Sequence, residues 1–524
     1  MLALLRRVSI VDVVLGLAGL GFGAASLAYP YGRDQGLYYY VAREWVLRGS
    51  IPYRDVLDHK TPGIYVLYAI GVRLFGEQTW GIRVLDLACV LGLGLVAAGL
   101  SAARGQAVRP GVRGLAILAL GVLYYGHMDF WNTAQSELWY SALGVAAVWA
   151  ALRIERVPLA EVASGALAGA AIVTKPPAMW FVVIAAACVA WRAWGARDGR
   201  AIRVGKGAVR FGAGSAAPGL LVLAYFGAHH AVGPMLDIVV GANGYYVKHE
   251  RGVNGLGEVL ARVLDEGRVY APIAPALLLA TLALLGWALR SKDRPLARRA
   301  GLALALAVAG WLCVHMQGKY YMLHWSSMLG PMTVVAATLA QTALERIRAR
   351  APIVAAAGAL VLLGLYAPSA KIGGGAAFWV EMNRVTLSWL AGKTSRDELN
   401  RHYKIDAVWF WYDQSYPVGV WLREHTSPED FVAVRGFQPE IYAIAGRRYG
   451  GRFFWTTFIV NPQRAYRREE WLAEDARALD EHPPKYVVAL TGVPEGPDSI
   501  AWFTPRGYVV DTVMGPYTIL RAAR

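Results

Sequence analysis

Apolar residues along this chain gather in runs of about twenty, the length a helix needs to cross a bilayer. Eleven such runs lie at roughly 8–29, 80–103, 112–127, 133–152, 159–174, 176–194, 208–231, 269–289, 299–316, 320–341 and 351–368. Lipid offers no partner to a backbone amide, so each run must be helical. The first follows Arg6-Arg7 and lacks a small-x-small cleavage site, so it reads as an uncleaved anchor. Two weaker stretches lie in the long connection 30–79. Residues 35–48 put Leu37, Tyr40, Val41 and Trp45 on one helical face, with Arg43 and Glu44 outside the stripe. Residues 62–75 begin with a proline suited to the first helical position. Both are expected as helices lying on the membrane surface. After Pro368 the period changes. Short β-rich runs at 431–434, 485–490, 508–513 and 517–521 alternate with helical patterns at 418–425 and 469–479.

The expected architecture is a polytopic α-helical membrane protein with about eleven transmembrane helices and a small C-terminal α/β domain. Its parts are a membrane module at 1–368, a linker at 369–394 and a soluble domain at 395–524. Of the 524 residues, 56% are hydrophobic and only 17% charged, which excludes a disordered chain and ordinary soluble domains. The net charge of +16 does not point to nucleic acid. The basic residues sit in alternate short loops, among them Arg109, Arg153, Arg197, Arg290 and Arg348, as the positive-inside rule requires of cytoplasmic loops. The N-terminus is therefore expected in the cytoplasm of a plasma membrane. An odd number of spans then places the C-terminal domain outside the cell or in the periplasm. Cys89, Cys188 and Cys313 each lie inside an apolar run, far apart, which argues against a disulfide framework or zinc knuckle.

Ionisable residues near membrane depth are expensive and mark functional sites. Here they gather on the expected outer side: Asp34; Asp55, Asp58, His59 and Lys60; His127, Asp129 and Glu137; Lys175; and Lys319, Tyr320, Tyr321 and His324. A carboxylate, several cations and tyrosine hydroxyls at one headgroup level suit transfer from a lipid phosphate. The cations hold the departing phosphate, and the carboxylate accepts the proton of the attacking group. Plainer roles stand beside this reading. Asp34 could cap the next helix, Lys60 could reach toward lipid phosphates, and Lys319 could be an ordinary flanking cation. His127 with Asp129 are the weak candidates for a divalent metal, being two ligands where a site needs more. Lys248-His249-Glu250-Arg251 reads equally as an anion-binding or a solvated loop.

Several pieces in order carry a resemblance. Asp34 follows the first span. Then come Tyr53-Arg54-Asp55, Lys60-Thr61-Pro62-Gly63-Ile64-Tyr65, Leu74-Phe75-Gly76 and Arg83-Val84-Leu85-Asp86. Ser136-Glu137, Thr174-Lys175-Pro176 and Lys319-Tyr320-Tyr321 complete the set. Over roughly residues 8–345 the chain resembles the type C (GT-C) glycosyltransferases, especially the lipid A aminoarabinose transferases and protein O-mannosyltransferases. The resemblance implies the GT-C fold. It also implies an inverting transfer of sugar from a polyprenyl-phosphate donor to a lipid, glycan or protein acceptor. It assigns Asp34 as catalytic base and Lys60, Lys319 and Tyr320 as donor-phosphate contacts. Glu137 and Lys175 match positions lining the same cavity, with Asp55, Tyr321 and His324 as further candidates. The family shows Asp-Glu where this chain has Asp34-Gln35, so a second carboxylate is missing there. The rival class, a secondary transporter, would be built on internal repeats, and the sequence shows none.

Overall fold

The computed structural model describes residues 8–195, 200–249, 252–253, 255–347, 350–368, 375–461, 465–491 and 495–523. Arg6, Arg7, Arg197, Glu250, Arg251 and Arg348 lie outside the described residues. The chain forms two compact units. One comprises Met1–Leu27, Arg83–Val222 and Val253–Asn383; the other comprises Ala28–Ile82, Leu223–Gly252 and Arg384–Arg524.

The first unit holds most of the membrane helices. A helix stands at each of the eleven apolar runs. Among the described residues eight are long and apolar enough to cross a bilayer: Ile10–Ala28, Trp80–Ser101, Val157–Thr174, Pro176–Trp194, Arg200–Ala228, Ile273–Arg290, Arg294–Met316 and Met322–Arg346. The chain is an integral membrane protein. Val112–Tyr124 and Ala351–Tyr366 are shorter apolar helices, and Ser136–Arg153 opens on Ser136 and Glu137. The first helix shows how the bundle closes. A Cβ on Gly19 would sit 2.6 Å from the Ile117 carbonyl oxygen, and one on Gly121 only 2.1 Å from that of Gly19. The two backbones therefore touch, which only small residues permit in a membrane. Beside this crossing the Asp12 carboxylate accepts the amides of Gly111 (2.9 Å), Arg113 (3.0 Å) and Gly114 (3.2 Å). It thereby satisfies otherwise orphaned donors at the start of a neighbouring helix.

The second unit holds the helices Arg33–Arg48 and Pro62–Phe75 and the C-terminal residues. Its four-stranded sheet runs in the order Val432–Arg435, Tyr486–Leu490, Tyr517–Ala522, Tyr508–Met514. The first pair is parallel and the others antiparallel. Helices Tyr412–His425 and Arg468–Glu481 lie where the period predicts them. Buried Arg435 pairs with buried Asp475 at 2.9 Å.

Three features differ from the sequence reading. Arg43 and Glu44, expected on an open polar face, are both buried. Arg43 donates to the carbonyls of Tyr442 (3.4 Å) and Arg447 (3.0 Å) and pairs with Glu44 at 3.0 Å. The C-terminal residues cover that face, a long-range partner that helical periodicity cannot reveal. Second, the connection after 231 is largely helical, with Val232–Leu236, Asn243–His249 and Leu256–Glu266. Its glycines and Pro234 break the period into pieces too short to read. Third, Gly375–Leu390, within the segment read as a linker, is a helix.

Candidate active site

Asp34 is the second residue of the helix Arg33–Arg48. The N-cap is Gly32, so Asp34 does not cap the helix. It lies in the first turn of that helix. It is partly exposed, and its carboxylate has no hydrogen-bond or ion-pair partner among the described residues.

Lys60 precedes the helix Pro62–Phe75, whose N-cap is Thr61. Its backbone is held on both sides by phenols. The Lys60 amide donates to the Tyr65 hydroxyl (3.1 Å), and the Tyr53 hydroxyl donates to the Lys60 carbonyl (2.8 Å). Its ammonium enters no ion pair among the described residues. The two helices pack through tyrosines. The Tyr38 ring lies 6.4 Å from Tyr65 and 5.4 Å from Tyr68. Tyr38 is one turn along from Asp34 on the same helical face, and Tyr65 touches the Lys60 backbone. The structure thus packs the helix that carries Asp34 against the helix that follows Lys60.

Asp55 is differently placed. It accepts both nitrogens of the Arg54 fork at 2.7 Å and the Ile51 amide at 2.8 Å. Burial raises its pKa, but Arg54 and the amide outweigh that and hold it below the ordinary carboxylate range. A carboxylate so well satisfied is a poor base. It lines a polar cleft of about 410 Å³ with Arg54, Arg448, Arg452 and Glu474.

The remaining candidates lie in the first unit. Glu137, fully buried in the first turn of Ser136–Arg153, forms an ion pair with Lys175 and accepts the Ser136 hydroxyl at 3.0 Å. Lys175 sits at the break after Val157–Thr174. Several contacts tie these segments to residues 313–327, among them a Ser141 hydroxyl bond to the Ser327 carbonyl at 2.9 Å. Cys313 donates its thiol to the Pro177 carbonyl (3.1 Å), Tyr140 bonds Ser327, and Gln317 donates to the Tyr140 hydroxyl (3.4 Å). Lys319 is half-buried in the turn between. Tyr320 takes a positive φ of 54°, is buried, and bonds His315 through its hydroxyl. Tyr321 is half exposed beside the ring of His324, which is buried.

The weak metal candidates are committed elsewhere. The His127 ring donates to the Val122 carbonyl at 2.9 Å. Asp129 closes a turn by accepting from the Trp131 amide (3.0 Å) and from the Asn132 amide (2.9 Å) and side chain (2.7 Å). Among the described residues no group of three or more His, Cys, Asp or Glu side chains could hold a metal ion. Of the later basic cluster, His249 turns back to its own helix, donating to the Tyr245 carbonyl at 2.8 Å.

The site reading by sequence passed over Tyr53 and Tyr65, which fix the Lys60 backbone, and gave no role to Asp58 and His59. The adjacency of Asp58, His59 and Lys60 before a proline-initiated helix was the available signal. The bonds among them depend on a turn that no spacing rule supplies.

No protein-family model matches the chain, and no curated protein matches it by sequence. Similarity appears in structure. ArnT from Cupriavidus metallidurans bound to undecaprenyl phosphate superimposes with a TM-score of 0.58, and its apo state with 0.56. Each comparison covers 98% of this chain and 99% of the other, at 16% sequence identity. The chain therefore has the fold of ArnT, a GT-C fold, over essentially its whole length.

Proposed function

We infer that this protein is an inverting glycosyltransferase that moves a sugar from a polyprenyl-phosphate donor to an acceptor at the outer face of the membrane. One observation carries the reading: among the described residues Asp34, in the first turn of one helix, and Lys60, just before the start of a helix packed against it, have no ion-pair partner. The ArnT fold and the undecaprenyl phosphate bound by that neighbour support it.

The chemistry follows from the two groups. The acceptor oxygen or nitrogen attacks the anomeric carbon and gives its proton to Asp34. The bond from that carbon to the phosphate oxygen breaks on the opposite face. The departing lipid phosphate gains a negative charge, which the Lys60 ammonium stabilises as it develops. Lys319 and Tyr320 are assigned as further donor contacts by the resemblance alone. The loop charges support a cytoplasmic N-terminus and an outer C-terminal domain. The acceptor is a lipid, glycan or protein. Asp34→Asn preserves size and removes the base. In a transfer assay with labelled donor it is expected to bind donor normally and transfer almost none. Wild-type turnover in that variant overturns the assignment.

A further inference from the structure

Immediately before Lys60 lies a pair that the transfer reaction does not use. The Asp58 carboxylate is buried. One oxygen accepts the His59 amide (2.8 Å) and the His59 ring nitrogen Nδ1 (3.0 Å); the other accepts the Tyr65 hydroxyl (2.8 Å). That same Tyr65 hydroxyl receives the Lys60 amide. His59 is built in as firmly as Asp58. Its ring stacks on Phe458 at 5.3 Å and lies 6.0 Å from Trp455 and Tyr246. Its carbonyl accepts the Asn243 side chain at 2.7 Å. The flanking carbonyl of Leu57 accepts the Trp455 indole at 3.2 Å.

We propose that Asp58 and His59 are positioning residues which, by pairing with each other, leave the Lys60 ammonium available to the donor phosphate. The proposal deepens the functional reading above and rests on Lys60 binding that phosphate. The physical argument concerns where a buried negative charge finds its partner. An ionised carboxylate out of water must be paired. Two cations stand within electrostatic reach, the His59 imidazolium and the Lys60 ammonium, and both favour the Asp58 anion. While His59 is protonated, it supplies that charge through a direct bond. When it loses its proton, Asp58 must draw on Lys60, and a lysine drawn inward holds a phosphate less well. Histidine is the side chain that makes this exchange near neutral pH. Among the described residues, Tyr53, Tyr65, Tyr246 and Arg452 also face this region; burial pushes the Tyr53 and Tyr65 phenols well above their ordinary range, and Arg452 reaches the Tyr53 carbonyl at 3.3 Å and is paired with Glu474 at 2.8 Å.

The test is binding of undecaprenyl phosphate to the full chain in nanodiscs, from about pH 5 to about pH 8, the range over which histidine changes charge. The phosphate's own titration near pH 6 is common to all variants, so comparisons are made at matched pH. Wild type is expected to bind most tightly at low pH and to weaken as His59 deprotonates. His59→Gln should bind about tenfold more weakly at low pH and lose that dependence, the scale of one charge-assisted contact. Asp58→Asn, which still accepts from Tyr65, should bind like acidic wild type at every pH. The double variant should recover affinity over His59→Gln, a rescue that loss of fold would not give. A His59→Gln profile parallel to wild type, or a double variant no better than His59→Gln, overturns the proposal. Lys60→Ala separates the two readings. Wild-type affinity in Lys60→Ala removes the phosphate role itself. Weak binding in Lys60→Ala beside a wild-type His59→Gln removes only the positioning pair.

Discussion

Two carboxylates in this molecule open helices in the same way and live in opposite circumstances. Asp34 stands in the first turn of Arg33–Arg48, partly exposed, its oxygens without a partner among the described residues. Glu137 stands in the first turn of Ser136–Arg153, fully buried, bound to Lys175 and Ser136. From sequence both are acids at the start of a helix on the expected outer side. In the fold one has no partner among the described residues and the other is ion-paired and hydrogen-bonded. On the functional reading proposed above, the open carboxylate is the one that receives the acceptor's proton.

The sharpest way to break the comparison is to neutralise each acid in turn. A positioned general base contributes 10²–10⁴ to rate, so Asp34→Asn is expected to lower kcat about 10³-fold, or about 4 kcal/mol. Thermal unfolding in detergent should barely move. Glu137→Gln should do the reverse. Glu137 is fully buried and Lys175 partly exposed, so losing this ion pair is expected to cost at most about 3–5 kcal/mol of stability, the scale of a fully buried pair. The unfolding temperature should fall clearly, with a smaller loss of turnover in the folded fraction than Asp34→Asn shows. Replacing both partners, Glu137→Gln with Lys175→Met, should regain part of that stability. A Glu137→Gln variant that is fully stable yet inactive would transfer the catalytic role to the buried pair.

How much of this was legible depends on how local the cause is. The eleven apolar runs and the strands 486–490, 508–514 and 517–522 follow from hydrophobic length and period, which each segment carries by itself. Pro62 at its helix start was equally readable, whereas Asp34, read as a possible cap before residue 35, lies inside a helix that starts two residues earlier, at Arg33. Burial of Arg43 was not, since it is created by carbonyls some four hundred residues away. The roles of Asp58 and His59 were hidden for a related reason. Adjacency in sequence was plain, but the Tyr65 hydroxyl that ties Asp58 to the Lys60 amide reaches them only after the helix folds back. Likewise nothing in the sequence told that Asp55 would be satisfied and Asp34 would not.

That last contrast yields the smallest effect, and it lies within one unit. Asp55 is held by Arg54 and the Ile51 amide, and its pKa is lowered in the folded state. A carboxylate with a depressed folded pKa adds stability at neutral pH and gives it up only as the pH falls through its folded value. The pair is about one-third exposed, so solvent screens it, and a contribution of about 0.2–1 kcal/mol is the scale for such a bridge. Asp55→Asn should therefore lower the unfolding temperature slightly near neutral pH, and the difference should shrink in acid, closing only once the pH has fallen through the depressed folded pKa. Turnover should change far less than in Asp34→Asn. A loss of turnover as deep as that of Asp34→Asn, with the unfolding temperature unmoved, would mean that the satisfied carboxylate, not the open one, receives the acceptor's proton.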